Sequence, residues 1–284
     1  MANRIRKAVF PVAGLGTRLL PATKTIPKEM LTIVDRPLIQ YAVDEAREAG
    51  IEQMIFVTGR GKSALVDYFD MAFELETTMR DKGKGLDALE PARARFGEVI
   101  TVRQQQPLGL GHAVWCAREI VGDEPFAVIL PDDLMMPGAL KPMVEAWAKV
   151  GGNLVATEEV PADKTASYGI ITPGATNGPL TEVCGLVEKP APEQAPSRLG
   201  VIGRYILQPE IFAVLDQGTT GAGGEIQLTD AMAKLIGKQP FHALKVEAVR
   251  HDCGDKAGFV IANLAIALGR EDLEPRVRDA ISRL

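Results

Sequence analysis

Four short stretches of the chain carry residues whose types and spacing could do chemistry. The first, Ala13-Gly14-Leu15-Gly16-Thr17-Arg18, is followed by Lys24 and by Lys28 within Pro27-Lys28-Glu29. Glycines let a backbone press close to a ligand, its N–H groups can face an anion, and Arg18 adds a forked cation. This is a loop suited to a triphosphate. The second stretch is the carboxylate pair Asp132-Asp133, which suits Mg2+, a hard ion that takes one or two carboxylates together with phosphate oxygens. A turn cap would account for the pair equally well. The third is Glu188-Lys189, where a carboxylate can accept from sugar hydroxyls while its neighbour reaches a phosphate; the same pair is also common on plain surfaces. The fourth, Arg250-His251-Asp252-Cys253-Gly254, could bring one more carboxylate to the same place.

The elements around these stretches predict how they are placed. Ala8–Val12 reads as a buried strand that feeds the glycine loop, and Pro37–Ala49 as a helix with Leu38, Ile39, Ala42, Val43 and Ala46 on one face. Gln53–Thr58 follows as a second strand, so the three form a right-handed parallel βαβ unit. Val99–Gln104 is a strand that opens into the turn 105–112, which carries Gln106, Gly109 and Gly111 and enters a helix at 113–120. Phe126–Leu130 is a continuous apolar run, the mark of a strand covered on both faces, and it ends on Pro131-Asp132-Asp133. Ala139–Val150 is helical. Beyond Gly151-Gly152 the pattern turns to β at 153–160, 169–172, 181–187 and 199–207, with a late strand at 242–247. Short helices are expected at 209–215 and 227–236, and two more at 255–268 and 272–283. Ser63 is expected to cap a helix over 64–73, and 74–97 to be a helix, a mobile excursion and a second short helix.

The expected fold is α/β, a Rossmann-like doubly wound mixed sheet with a β-rich extension and C-terminal helices. A single domain over 1–284 would divide into a nucleotide-binding half (1–150), a sugar-phosphate-binding half (151–250) and C-terminal helices (251–284). In such sheets ligands bind beyond the carboxyl ends of the strands, where the loop 13–28, the turn 106–112 and the pair Asp132-Asp133 would meet.

Several classes are excluded. Gly59-Arg60-Gly61-Lys62-Ser63 has Phe56 where a Walker loop needs its first glycine, and Leu19 stands where a dinucleotide fingerprint needs its third. A net charge of −5 and a pI near 5.4 argue against a nucleic-acid partner. Cys116, Cys184 and Cys253 are far apart, with neither disulfide nor zinc spacing. No apolar run approaches the ~20 residues of a membrane span. A cytoplasmic protein without a membrane partner is expected.

The motifs also carry a resemblance. The glycine loop with Pro27-Lys28-Glu29-Met30-Leu31, the segment 106–113, Leu130-Pro131-Asp132-Asp133, Tyr168-Gly169-Ile170, Val187-Glu188-Lys189-Pro190, 224–230 and Asp252-Cys253-Gly254 together resemble the sugar-1-phosphate nucleotidyltransferase family, on its uridylyl branch. The likeness spans nearly the whole chain and implies Mg2+ as cofactor and UTP and glucose 1-phosphate as substrates. It implies that Ala13 and Gly14 hold the base through backbone groups, with Gln106 and Gly111 completing the base and ribose pocket and Gly16 and Thr17 in the same loop. Arg18 and Lys28 would grip the triphosphate, and Glu29 would assist the nucleotide site. Asp132, joined by Asp252, would hold the metal. Asp133, Gly169 and Glu188 would recognise the sugar and Lys189 its phosphate. Ala248 stands where the family often has glycine. A homodimer or homotetramer is implied, with Val260, Leu264, Ile266 and Ile281 available for contact.

The chemistry follows from charge. Two unit charges about 4 Å apart repel by roughly 4 kcal/mol at an effective dielectric near 20, so an anionic sugar phosphate approaches a nucleotide α-phosphorus only among several cations. The nucleophile is already an anion and needs no general base. Three readings stand: in-line transfer from UTP, the same chemistry with dTTP or another sugar phosphate, and a silent nucleotide-sugar sensor.

Overall fold

The computed structural model describes residues 4–283. Strand β1 (Lys7–Pro11) runs into the glycine loop. A small ribbon, β2 (Thr32–Ile33) and β3 (Arg36–Pro37), leads to the helix Leu38–Glu48, followed by β4 (Gln53–Thr58) and β5 (Val99–Arg103). Then come the helix Leu110–Trp115, β6 (Phe126–Ile129), β7 (Asp133–Met136), the helix Leu140–Val150 and β8 (Asn153–Glu159). β9 (Gly169–Asn177) and β10 (Leu180–Glu188) form a hairpin before β11 (Leu199–Leu207). The helix Leu228–Ala233, β12 (Phe241–Lys245), β13 (Val249–Asp252) and the helices Lys256–Leu268 and Glu274–Ile281 complete the chain.

Nine of these strands make one mixed sheet in the order β5-β4-β1-β6-β11-β8-β12-β10-β9. β5, β4, β1 and β6 are mutually parallel, and β11 runs against both β6 and β8. Alternating side chains feed two apolar layers: Phe10 and Phe56 enter one, Val9, Ile55 and Val57 the other. All four residues of β6 are buried, as a strand covered by helices on both faces requires.

This is the expected α/β class, with boundary shifts of a few residues in most elements. Some differences are larger. β7 and β13 pair antiparallel as a separate ribbon, for which the sequence pattern predicts no strands. The helix expected at 64–73 is shorter, Ser63–Asp67, and Ser63 makes no capping bond. The helix expected at 113–120 begins at Leu110 instead and is followed by a separate turn of helix, Arg118–Val121. Residues 169–177 are strand throughout, because β10 pairs along their length. The stretch 74–97 holds the helix Phe73–Asp81 and a short turn of helix at Glu90–Ala92, with turns and loop making up the rest. No helix among the described residues is long and apolar enough to cross a membrane.

Candidate active site

Strand direction gathers the chemistry at one rim. The carboxyl ends of the parallel strands β1, β4, β5 and β6 present the glycine loop, Gly59–Lys62, the turn at 104–109 and Asp132. β10 ends at the same rim, since Glu188 pairs with Gly169 at the start of β9 and Ile170 pairs with Gly200 near the start of β11.

The glycine loop is shaped by close packing. Gly16 has φ near 65°, a left-handed conformation, and lies against Thr23 and Lys28, while Thr23 donates its hydroxyl to the Gly16 carbonyl at 2.7 Å. A Cβ on Gly14 would lie 3.9 Å from Lys28 Cε, so the loop rides over the lysine stem. Gly14, Thr17, Lys24 and Arg18 are exposed and Ala13 half-buried.

Lys28 Nζ donates to Asp132 Oδ2 at 2.5 Å. A Cβ on Gly254 would stand 2.9 Å from Asp252 Oδ1, 3.1 Å from Asp132 Oδ2 and 3.7 Å from Arg18 Nη1. Arg18, Lys28, Asp132 and Asp252 therefore converge around a gap that only glycine leaves open. Burial works against charge on Lys28, but Asp132 and Glu29 outweigh it and raise the amine. Burial likewise opposes ionisation of Asp132, yet Lys28 and Arg18 prevail, and its carboxyl lies below the ordinary range. Both groups are charged at neutral pH. Two carboxylates flanking a gap suit a hard cation that takes its other ligands from phosphate and water.

At the β9–β10 end of the rim, Gly169 packs against Thr229 and Glu188 Oε2, where a Cβ would come within 3.1 and 3.4 Å. Lys189 Nζ is 3.1 Å from Glu188 Oε1. Lys189 also holds φ near 48°, a conformation costing a non-glycine residue about 1–3 kcal/mol. Its N–H donates to the Tyr168 carbonyl at 2.9 Å. Burial raises the Tyr205 hydroxyl well above its usual value, and the charges of Asp133 and Glu188 add to this.

Three further residues named in the sequence analysis are engaged within the protein. Asp133 has both carboxylate oxygens engaged within the protein: Oδ1 accepts from Arg250 at 2.6 Å, Oδ2 from the Gly203 N–H at 3.1 Å. Glu29 is fully buried, with Oε2 paired to Lys62 at 2.8 Å and Oε1 without a partner. It lies beneath the loop, where burial lifts its carboxyl above the usual range despite Lys62 and Lys28. Gly111 is buried, and its N–H donates to the Ile226 carbonyl at 2.8 Å. A Cβ there would meet Ile226 O at 2.7 Å and Leu215 Cδ2 at 2.8 Å. Gly111→Ala is accordingly expected to cost about 1–3 kcal/mol by overpacking, read as a lower urea midpoint with an unchanged slope. Gln106 remains exposed at the rim, while Gln104 braces the turn through Gly109 O and His112 Nδ1, both at 3.1 Å.

Sequence reasoning missed a second set. Arg250 binds Asp133, Glu158 and Tyr168. Arg204, almost wholly buried, forks onto Glu45 and donates to the carbonyls of Leu130, Gly203 and Asp133. The one available signal was the Arg two residues before Asp252.

The sheet, the cationic glycine loop and the facing carboxylates describe a protein that handles nucleotides and sugar phosphates. A nucleotidyl transferase family model matches residues 7–267, and the chain belongs to that family. It is 54% identical to a UTP--glucose-1-phosphate uridylyltransferase of Komagataeibacter xylinus over 90% of this chain and 92% of that protein. A Bacillus subtilis (strain 168) protein of the same name is 46% identical over 97% of this chain and 95% of that one. Among solved structures, a UTP-bound UGPase from Acinetobacter baumannii superposes with a TM-score of 0.89 at 44% identity, covering 99% of both chains. A UDP-glucose pyrophosphorylase complexed with UDP-glucose gives 0.86 at 44%, covering 94% of this chain and 100% of that one.

Proposed function

We propose that this chain transfers a nucleotidyl group to a sugar 1-phosphate, and specifically a uridylyl group from UTP to glucose 1-phosphate. The observation that carries the reading is the convergence of Arg18, Lys28, Asp132 and Asp252 on Gly254, with Glu188 and Lys189 on the same rim. The named relatives and the UTP and UDP-glucose complexes of similar proteins support the choice of substrates.

In this reading the glycine loop, with Ala13, Gly14, Gly16 and Thr17, receives the nucleotide, and Gln106 reaches its base. Arg18 and Lys28 neutralise the triphosphate. Glu188 and the Gly169 N–H orient the sugar, and Lys189 holds its phosphate so that a phosphate oxygen faces the α-phosphorus. Glu29, Gly111 and Asp133 support these groups from below. No side chain has to remove a proton, because the attacking oxygen is already anionic; positioning and charge supply the catalysis. Asp132 and Asp252 would hold Mg2+, which, when bound, adds positive charge beside the phosphates. Val260 and Leu264, exposed on the helix Lys256–Leu268, would serve contact between copies in a dimer or tetramer, and the protein would work in the cytoplasm.

The test is pyrophosphate release with glucose 1-phosphate and Mg2+, offering UTP, dTTP, CTP and ATP in turn. Turnover is expected with UTP foremost; UDP-glucose binding without turnover of any nucleotide would leave a sensor. Lys189→Ala is expected to lower kcat/KM for glucose 1-phosphate by roughly 10- to 100-fold, the size of a lost charge-assisted bond. An unchanged value would remove Lys189 from the phosphate site.

A further inference from the structure

Arg250 holds three acceptors from three separate parts of the fold. Nη1 donates to Asp133 Oδ1 at 2.6 Å, Nε to Glu158 Oε1 at 2.7 Å, and Nη2 to the Tyr168 hydroxyl at 2.5 Å. Its side chain is only 9% exposed, and the guanidinium carbon is 5.1 Å from the centroid of the Tyr168 ring. Asp133 opens β7, Glu158 lies near the end of β8, and Tyr168 immediately precedes β9. Burial disfavours the charge, but Asp133 and Glu158 overcome it and keep the guanidinium firmly protonated.

Each contact leads on to a group of the site. From Arg250 the strand β13 continues to Asp252, which pairs in register with Asp133. Tyr168 is followed by Gly169, and its carbonyl takes the N–H of Lys189, the residue with the left-handed backbone. Asp133 fastens in turn to Gly203 on β11. The carboxylate ribbon and the strand ends carrying Gly169, Glu188 and Lys189 thus share one rigid, planar tie. Lysine could not replace it, since a single ammonium cannot meet three acceptors held in a fork.

We infer that Arg250 is a positioning residue that locks the sugar-phosphate half of the site to the Asp132–Asp252 half, with Tyr168 as its relay to Lys189. The inference rests on the uridylyl-transfer reading for the identity of the two ligands. It makes Arg250 selective in effect: the nucleotide loop, carried by β1, makes none of these contacts.

The test is calorimetric titration of the unsubstituted protein, Arg250→Lys and Tyr168→Phe, with UTP and with UDP-glucose separately. Both variants are expected to bind UTP within about twofold of the unsubstituted protein. Both are expected to bind UDP-glucose about tenfold or more weakly, the size of one or two lost charge-assisted bonds. Turnover should show the same split, with KM for glucose 1-phosphate rising and that for UTP held. Equal losses for both ligands, or no loss for either, would overturn the inference. Should Arg250→Lys fail to fold, Tyr168→Phe carries the test alone, because it keeps the ring and removes only the hydroxyl. An unsubstituted protein that binds neither ligand would remove the functional reading itself, and the inference with it.

Discussion

Asp132→Asn is expected to reduce turnover by about a thousandfold or more while the protein stays folded. The side chain is bound to Lys28 at 2.5 Å and shares the Gly254 gap with Asp252. An amide of the same shape keeps the packing but loses the negative charge. Lys28 then loses the partner that orients it, and one of the two anionic ligands for a cation disappears. Charge stabilisation of this kind supplies several kcal/mol to phosphoryl chemistry, and about 4 kcal/mol corresponds to roughly a thousandfold in rate. Steady-state pyrophosphate release gives the rate, and circular dichroism with thermal melting gives the fold. A variant within tenfold of the unsubstituted rate would take Asp132 out of the reacting centre.

The largest loss of stability is expected at Arg204. Its side chain is 1% exposed and forks onto Glu45, itself 5% exposed, with the shortest contact 2.7 Å. Three further bonds hold the carbonyls of Leu130, Gly203 and Asp133, so the turn bearing Asp132 is strapped from beneath. Glu45 Oε1 also accepts the N–H groups of Ala139 and Leu140 at 2.9 Å each, covering the start of the helix Leu140–Val150. Arg204→Met would leave Glu45 buried and uncompensated, at about 3–5 kcal/mol. Pairing it with Glu45→Gln removes the stranded charge, and the double variant should recover about 1–3 kcal/mol relative to the sum of the single losses. Urea denaturation of the four proteins measures that coupling. Strict additivity would mean that the two groups do not act as a pair.

What was legible in the sequence was what local pattern encodes. Ala8–Val12 and Phe126–Leu130 announced strands by unbroken apolar runs, and the groups following them, Gly14 to Lys28 and Asp132, fell at the strand ends where α/β sheets bind ligands. What escaped depends on distant partners. Arg250 and Asp133 are 117 positions apart, and Arg204 and Glu45 are 159 apart, and nothing local in either pair hints at the other. Asp133, which the resemblance places at the sugar, has carboxylate contacts to Arg250 and to the Gly203 N–H that no local pattern announces. Gly111, which the resemblance places in the base pocket, also makes room through its missing Cβ for Ile226 and Leu215, partners more than 100 positions away. The ribbon Asp133–Met136 with Val249–Asp252 has four-residue strands, too short for alternation to be read before the partner is known.

The β9–β10 hairpin starts and ends at the rim with Gly169 and Glu188, so its turn, Asn177-Gly178-Pro179, lies at the far end of the strands. Gly178 has φ near 59°, and residues 174–179 are largely exposed. New chain termini, a surface-anchoring peptide or an inserted fluorescent module should be accepted there more readily than elsewhere in the hairpin. Such an attachment would face away from the substrates. It would still sit on the very strands whose other ends carry Gly169 and Glu188, making the turn a natural handle for immobilising the protein or for building an optical reporter of the proposed sugar-phosphate binding.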